Sequence, residues 1–141
     1  MSTATNKQTI QRMYAAMETG DRSVFGQSVS RNYSWRLAGH SSWSRLFEGQ
    51  EPIRRDLLKP LFARFANTYT AKLTSVIGEG DFVVAEVRGD VTTIDGQRYD
   101  NEYCFIFRFE DDLIVEMTEY CDLDLIERVL GSYENAVAAA A

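Results

Sequence analysis

The first half of the chain repeats its hydrophobic residues at helical spacing. A stripe of apolar side chains three or four positions apart predicts an amphipathic helix over residues 6–19, with Gly20 as its C-terminal stop. A broader apolar stripe predicts a second long helical region over residues 51–65. Pro60 interrupts that stripe, so we expect a kink or two short helices there, because proline lacks the N–H that a helix interior uses.

The second half alternates hydrophobic and polar residues, which is typical of strands. The alternation predicts consecutive antiparallel strands over residues 70–77, 82–91, 98–109 and 113–122, and a short earlier strand over residues 32–37. Helices followed by a run of antiparallel strands specify an α+β fold. We expect the N-terminal helices to pack on the concave face of a curved antiparallel sheet.

One hairpin is predicted to carry the candidate site. The Asp-Gly dipeptide at 95–96 favours a two-residue type I′ turn, because it accepts two positive φ angles. That turn places Asp90 opposite Asn101 and Arg88 opposite Tyr103, on one face of the sheet. Charged groups facing an aromatic row predict one wall of a pocket with polar groups at its end.

The opposite face of the same hairpin is mainly apolar. It carries Val83, Ala85, Val87, Gly89, Val91, Cys104 and Ile106. Because the helices already cover the concave face, we expect these residues to form a convex face through which the chain makes a homodimer. The two cysteines, Cys104 and Cys121, lie diagonally on this face in the predicted register, and we expect free thiols there.

Composition narrows the classes of function. The 141 residues fit a single domain, with disordered tails expected at about residues 1–5 and 133–141. A net charge of -6 argues against nucleic acid as a partner. The chain has no apolar run long enough to span a membrane and no secretory signal, so we expect a cytoplasmic protein. With His40 as the only histidine and no Cys-x-x-Cys, neither a metal site nor an organic cofactor is expected.

The stretch 94–103, the Phe105-x-Phe107-x-Phe109 row and the acids of the last strand resemble the SnoaL-like branch of the NTF2-like superfamily. The resemblance covers nearly the whole chain and implies a cone-shaped α+β domain with a pocket for a small apolar ligand. The same scaffold serves ketosteroid isomerases, polyketide cyclases, limonene-epoxide hydrolases and proteins that only bind or assemble. Members commonly dimerise through the sheet, which agrees with the homodimer expected above.

Arg88-Gly89-Asp90 is similar to the Arg-x-Asp of limonene-epoxide hydrolases, in which the arginine bridges two carboxylates. The resemblance implies Asp90 as base or water activator, Arg88 as its positioner, and Glu119 or Asp122 as the second acid. Simple alternation places Tyr120 and Asp122 inward, and Glu119 inward only if a bulge shifts the strand. The sequence departs from those hydrolases in having Glu and not Asp on the last strand.

Eight further residues are candidates for contacting a substrate. They are Tyr14, Trp35, His40, Trp43, Asn101, Tyr103, Phe105 and Tyr120. Each candidate also has a structural interpretation: Asp90 with Arg88 as a rim ion pair, Asp122 as a helix cap, and the aromatic residues as core.

Two hypotheses for the function therefore stay open. One is acid-base catalysis, by an isomerase, cyclase or epoxide hydrolase, on an apolar cyclic substrate. The other is a non-catalytic ligand-binding or dimeric assembly domain.

Overall fold

A computed structural model describes residues 2–141, which form helices on one side of a six-stranded sheet. The elements in order are α1 (Thr3–Met17), α2 (Ser23–Ser28), β1 (Val29–Leu37), β2 (Leu46–Glu48), α3 (Gln50–Pro52), a π-helical segment (Ile53–Leu58), α4 (Lys59–Phe62), β3 (Thr70–Glu79), β4 (Phe82–Asp90), β5 (Glu102–Glu110), β6 (Leu113–Cys121), α5 (Leu123–Leu125), a second π-helical segment (Ile126–Leu130) and α6 (Tyr133–Ala140). Among residues 2–141, no helix has the length and apolarity needed to cross a membrane.

The fold class is confirmed: the chain is an α+β cone whose helices pack on the concave face of a curved sheet. The strand order is β2-β1-β6-β5-β4-β3. Two details differ from the sequence prediction. The β1–β6 pair is parallel, so the sheet is mixed, and β2 lies in a segment predicted as loop. Pro60 does interrupt the long helical region, which divides into α3, the π-helical segment 53–58 and α4.

The β4–β5 hairpin has a different register from the predicted one. Its loop contains three residues and not two, because Thr93 N–H donates to the Gln97 carbonyl and Gly96 N–H donates to the Thr93 carbonyl. In this loop Gly96 has a φ of +79°, which suits a type I turn followed by one left-handed residue. Arg88 therefore pairs with Glu102 rather than with Tyr103. A slip of one residue turns every side chain of a strand to the other face.

The prediction of which face is buried was consequently wrong for β4. Val83, Ala85 and Val87 point inward and belong to the core, together with Gly89 and Val91. The alternate residues of β4, including Phe82, Glu86 and Arg88, occupy the outer face with Cys104 and Ile106 of β5. The homodimer stays a prediction, but five of the seven residues proposed for its interface lie inside the molecule.

The β5–β6 turn formed as predicted, but the strand after it carries a bulge. Asp111 and Asp112 have φ of 50° and 66°, as a two-residue type I′ turn requires. The register then shifts by one residue, since Phe109 pairs with Ile114 whereas Arg108 pairs with Glu116. After this bulge Glu119 lies opposite Phe105 on the inner face. Tyr120 points outward, so the prediction that Tyr120 and Asp122 face inward was wrong.

Both ends of the described chain form helices, at positions where the sequence predicts disordered tails. The Ser2 hydroxyl caps α1 by accepting from Thr5 N–H at 3.0 Å, while Met1 lies outside the described residues. At the other end, residues 133–140 form α6. The Tyr133 hydroxyl donates at 2.6 Å to the carbonyl of Asp56, which Pro60 leaves without its helical partner. The alanine-rich composition predicted fraying, but the tyrosine at the start of α6 anchors it.

The two cysteines are free thiols, as expected. They lie on opposite faces of the sheet and not on one face, because Cys121 follows Glu119 on the inner face while Cys104 pairs with the outward Tyr120.

Candidate active site

A narrow cavity of about 60 Å³ lies between the helices and the concave face of the sheet. Its walls are almost entirely aromatic and aliphatic. Two charged side chains line it, Glu119 from β6 and Arg22 from the segment before α2. Phe105 forms the middle of the sheet wall, where it packs against Tyr14, Trp35 and Tyr103 at ring-centroid distances of 6.4, 6.4 and 5.2 Å. An apolar pocket with few, convergent polar groups is the usual form of a small-molecule site.

Glu119 is the acid of this cavity and is only 6% exposed. Its Oε1 accepts a hydrogen bond from Trp35 Nε1 at 3.0 Å, and its Oε2 accepts one from the Cys121 thiol at 3.5 Å. Within residues 2–141 it has no cationic partner. Burial raises the pKa of Glu119 to about 7, and the two hydrogen bonds oppose that rise only in part. The carboxyl group can therefore give or take a proton near neutral pH.

Four tyrosines surround Glu119. The hydroxyls of Tyr14, Tyr69, Tyr99 and Tyr103 are close enough for its negative charge to raise their pKa, although burial is the larger cause in each case. All four hydroxyls therefore remain protonated at neutral pH. Tyr69 and Tyr103 also interact with each other through their hydroxyls. The arrangement places hydrogen-bond donors beside an acid, which is what a substrate carbonyl needs when a proton leaves the neighbouring carbon.

Asn101 supports this group from behind the cavity wall. Its Nδ2 donates to the Tyr99 hydroxyl at 3.1 Å and to the Asp122 carbonyl at 3.2 Å. Its Oδ1 accepts from the backbone N–H groups of Glu102 at 2.8 Å and Asp122 at 3.1 Å. The side chain is thus fully used in tying the start of β5 to the end of β6. The prediction that Asn101 contacts substrate directly is not supported, because it does not line the cavity.

Gly89 is required by the position of Tyr69. A Cβ at residue 89 would lie 2.5 Å from the Tyr69 hydroxyl oxygen and 2.9 Å from its Cε1, inside van der Waals contact. We therefore expect Gly89→Ala to displace the Tyr69 ring and to lower the free energy of unfolding by about 1–3 kcal/mol, the usual cost of overpacking. Urea unfolding followed by circular dichroism measures the change.

Gly26 in α2 provides the matched control for that substitution. A Cβ there meets nothing within 4 Å, so Gly26→Ala should be neutral or stabilise the protein by about 0.5–1 kcal/mol. Truncating Tyr69 to alanine should remove most of the penalty of Gly89→Ala. A penalty that persists in the double variant would show that the clash with Tyr69 is not its cause.

The cavity contains six of the residues predicted from the sequence. They are Tyr14, Trp35, Trp43, Tyr103, Phe105 and Glu119. Trp35 has a more specific place than predicted, because its indole N–H holds the Glu119 carboxylate.

The other predicted residues lie outside the cavity. Asp90 and Arg88 have side chains 64% and 63% exposed, and they pair with Arg98 and Glu102 respectively, not with each other. The three-residue loop causes this, since the one-residue slip in register sends both outward. The arrangement in which one arginine bridges two carboxylates is therefore not formed.

The bulge in β6 and local structure explain the remaining differences. Tyr120 is 45% exposed on the outer face and accepts a hydrogen bond from Arg36. Asp122 caps α5 by accepting from Leu125 N–H at 3.2 Å, which is the structural role weighed for it. His40 is exposed in the loop between β1 and β2 and does not line the cavity.

Among the cavity residues that were not predicted, three carry polar groups: Arg22, Tyr69 and Tyr99. Tyr69 lies directly before β3, outside the predicted strands, and Tyr99 lies three residues before β5, in the segment predicted as the start of a strand. Phe65 stacks on both rings, at 5.7 and 6.2 Å. Aromatic residues at these three positions indicate packing, but only the fold shows that this packing reaches Glu119.

Comparison with known proteins agrees with this architecture. Residues 10–117 match a family model described as a SnoaL-like domain, and Glu119 lies just beyond the matched range. Bal32a, from a soil-derived mobile gene cassette, is 25% identical with a TM-score of 0.77, over 91% of this chain and 98% of Bal32a.

Two less identical structures share the fold. An NTF2-like protein from Burkholderia thailandensis E264 is 20% identical, with a TM-score of 0.76 over 92% of this chain and 98% of that one. TerC, co-crystallized with polyporic acid, is 17% identical, with a TM-score of 0.75 over 91% of this chain and 99% of TerC. A search among curated proteins gives no significant match.

Proposed function

We propose that this chain, which belongs to the family of SnoaL-like domains, is an acid-base catalyst that moves a proton on a small planar ketone, with Glu119 as the base. One observation carries the proposal: a buried carboxyl group without a cationic partner among residues 2–141 faces an otherwise apolar, aromatic cavity. A carboxylate costs free energy in such a place, and proteins keep one there when its proton affinity serves a reaction.

The reaction has two parts that different residues perform. Glu119 in its ionised form takes a proton from a carbon next to the substrate carbonyl. A tyrosine hydroxyl then donates a hydrogen bond to the carbonyl oxygen, where negative charge develops. Tyr14 suits this second part, because its hydroxyl makes no hydrogen bond to any residue from 2 to 141. Returning the proton to another carbon of the substrate completes an isomerisation. In a cyclisation the enolate carbon instead attacks a second carbonyl, and the alkoxide that forms takes the proton back from Glu119.

The shape of the cavity limits the substrate. The flat side chains of Trp35, Phe105 and Tyr103 favour a flat ligand, since aromatic rings gain from stacking as well as from burial. The volume of about 60 Å³ is small compared with ligand pockets of roughly 300–1,000 Å³. We therefore propose a one-ring or two-ring ketone as the substrate class. The side chains at the mouth must move to admit it, since a cavity that holds one benzene ring has a volume of about 150 Å³.

Hydrogen–deuterium exchange at carbon tests the proposal without knowledge of the natural substrate. We expect the protein in D₂O to accelerate exchange of the acidic C–H protons of 2-tetralone or 1-phenylbutane-1,3-dione, measured by proton NMR. The rate should rise with pH through about 7 and then level off, because the ionised form of Glu119 is the base. Glu119→Gln should lower the rate by about 10²–10⁴-fold, the usual contribution of a general base.

Asp90→Asn is the matched control for the exchange experiment. Asp90 lies on the outer face in an ion pair with Arg98, so its replacement should leave the exchange rate unchanged. A loss of exchange in Asp90→Asn and not in Glu119→Gln would contradict the assignment of the base.

One observation favours a second function, ligand binding without turnover. Both carboxylate oxygens of Glu119 already accept hydrogen bonds from the protein, as expected if the carboxyl group only shapes the pocket. This alternative predicts that ketones bind and raise the melting temperature while their C–H exchange stays at the background rate.

A further inference from the structure

Arg22 is a charged residue of the cavity that the proton transfer does not use. It precedes α2, and its guanidinium group lies over the rings of Phe25 and Phe62, at 5.3 and 4.8 Å from their centroids. Its side chain lines the cavity and also a surface depression that contains Tyr33 and Arg54. Arg22 therefore occupies the mouth, where the cavity meets solvent.

No acidic residue between 2 and 141 pairs with Arg22, in contrast to most arginines of this chain. Arg45, Arg54, Arg55, Arg64, Arg88, Arg98, Arg108 and Arg128 each have a carboxylate within ion-pair distance. Around Arg22 the ionisable neighbours are the tyrosines Tyr14, Tyr33 and Tyr69. A guanidinium group removed from water without a counterion costs free energy, and a bound anion offsets that cost.

Arg22 and Glu119 act at different ends of the cavity. The charges of Glu119 and Arg22 both shift the pKa of Tyr14 and of Tyr69. Neither of the two charged groups is among the causes of the other's pKa shift. The cavity thus has a carboxyl group at its inner end, a guanidinium group at its mouth and hydroxyl groups between them. A ligand that satisfies both ends has its reacting carbon near Glu119 and a negative group near Arg22.

We propose that Arg22 binds the carboxylate of a planar aromatic substrate, so that the site selects aromatic keto acids over neutral ketones of the same shape. This inference rests on the proposed function, because it names the substrate class of the same cavity. The geometry favours a carboxylate in particular. A guanidinium group whose face is held against Phe25 and Phe62 leaves its N–H edge free to make two parallel hydrogen bonds to a planar carboxylate.

The binding of benzoate and of benzamide tests this inference directly, since the two probes share one ring and differ in charge. Isothermal titration at pH 7.5 measures both dissociation constants, and quenching of Trp35 and Trp43 fluorescence shows that binding occurs in the cavity. In the wild-type protein benzoate should bind roughly ten- to hundredfold more tightly than benzamide. In Arg22→Met, which keeps the length and the apolar contacts, the ratio should fall to about one.

Arg54→Met and Glu119→Gln are the controls. Arg54 lies at the same depression but pairs with Glu51, so its removal should preserve the preference for benzoate. Glu119→Gln should preserve or increase that preference, because it removes a negative charge from the cavity, although it lowers C–H exchange. Equal affinities in the wild type, a preference that survives Arg22→Met, or no binding of either probe would each overturn the inference. If the wild-type protein catalyses C–H exchange but shows no preference for benzoate, Glu119 stays the proposed base and only the proposed role of Arg22 is refuted.

Discussion

The wild-type protein is expected to lose stability as the pH rises from about 5 to 8, and Glu119→Gln is expected not to. Burial raises the pKa of Glu119 to about 7 in the folded state, whereas an unfolded glutamate titrates near 4.5. Between these values the folded chain binds more proton than the unfolded chain, so the free energy of unfolding falls with rising pH. The stabilisation is fully present below about 4.5 and is lost above about 7.

The expected loss is roughly 3 kcal/mol, because each unit of pKa difference corresponds to about 1.4 kcal/mol. Other ionisable groups around Glu119 do not mask this loss of stability. Burial raises the pKa of the Cys121 thiol and of the nearby tyrosines, so they stay protonated between pH 5 and 8. Urea unfolding at several pH values measures the effect. Glu119→Gln is the suitable variant for comparison, because glutamine keeps an oxygen acceptor for the Trp35 N–H. If wild type and Glu119→Gln respond to pH in parallel, Glu119 is ionised at an ordinary pKa and our assignment of the base fails.

The sequence predicted most of the fold because its main signals are local. Helical spacing before residue 66 and alternation after residue 69 specify helices packed on a sheet, and Phe105 is at the centre of the aromatic wall as predicted. The Asp111-Asp112 turn also formed as predicted. Each of these features depends on residues within a few positions of one another.

The predicted site failed where one residue of register decided the outcome. The dipeptide at 95–96 suits both a two-residue and a three-residue loop, and only the second sends Asp90 and Arg88 outward. Between β5 and β6 the chain adds a bulge, which sends Glu119 inward. Alternation has a period of two, so one extra residue exchanges the two faces completely. The sequence pattern alone does not distinguish these registers, because both faces of the hairpin carry apolar residues.

Arg22 and Tyr69 were beyond sequence reasoning for a different reason. Each reaches the cavity through packing between segments that are distant in the chain, with Arg22 against Phe62 and Tyr69 against Gly89. Gly89 was visible in the sequence, as the middle residue of Arg88-Gly89-Asp90. Its small size accommodates the tyrosine ring on the inner face, while the two charged residues beside it face solvent. A glycine within a strand indicates such a close approach even when the approaching group is unknown.

Trp43→Ala is expected to cause the largest loss of stability among the substitutions considered, about 3–5 kcal/mol. Trp43 is 1% exposed and lines the cavity, and it packs edge-on against Tyr133 of α6 at 5.2 Å. Its Nε1 donates to the Gly131 carbonyl at 2.9 Å, two residues before α6 begins. The substitution therefore removes a buried aromatic ring and the hydrogen bond that holds the last helix. Urea unfolding at pH 5, where Glu119 is protonated in the folded state, measures the loss.

The same substitution should act on α6 before it acts on the sheet. Trp43 is one of several contacts through which Tyr133 anchors that helix, together with Phe47, Arg45, the Ser42 hydroxyl and the Asp56 carbonyl. Losing the Trp43 ring should therefore raise amide hydrogen exchange in residues 133–140 more than in β5. Trp43→Phe is the matched control, because it keeps most of the ring packing and loses the hydrogen bond to Gly131, at a cost of about 1–2 kcal/mol. Equal exchange in α6 for wild type and Trp43→Ala would mean that the helix is held independently of this tryptophan. Selective loosening would show instead that the C-terminal helix and the cavity wall are one packed unit.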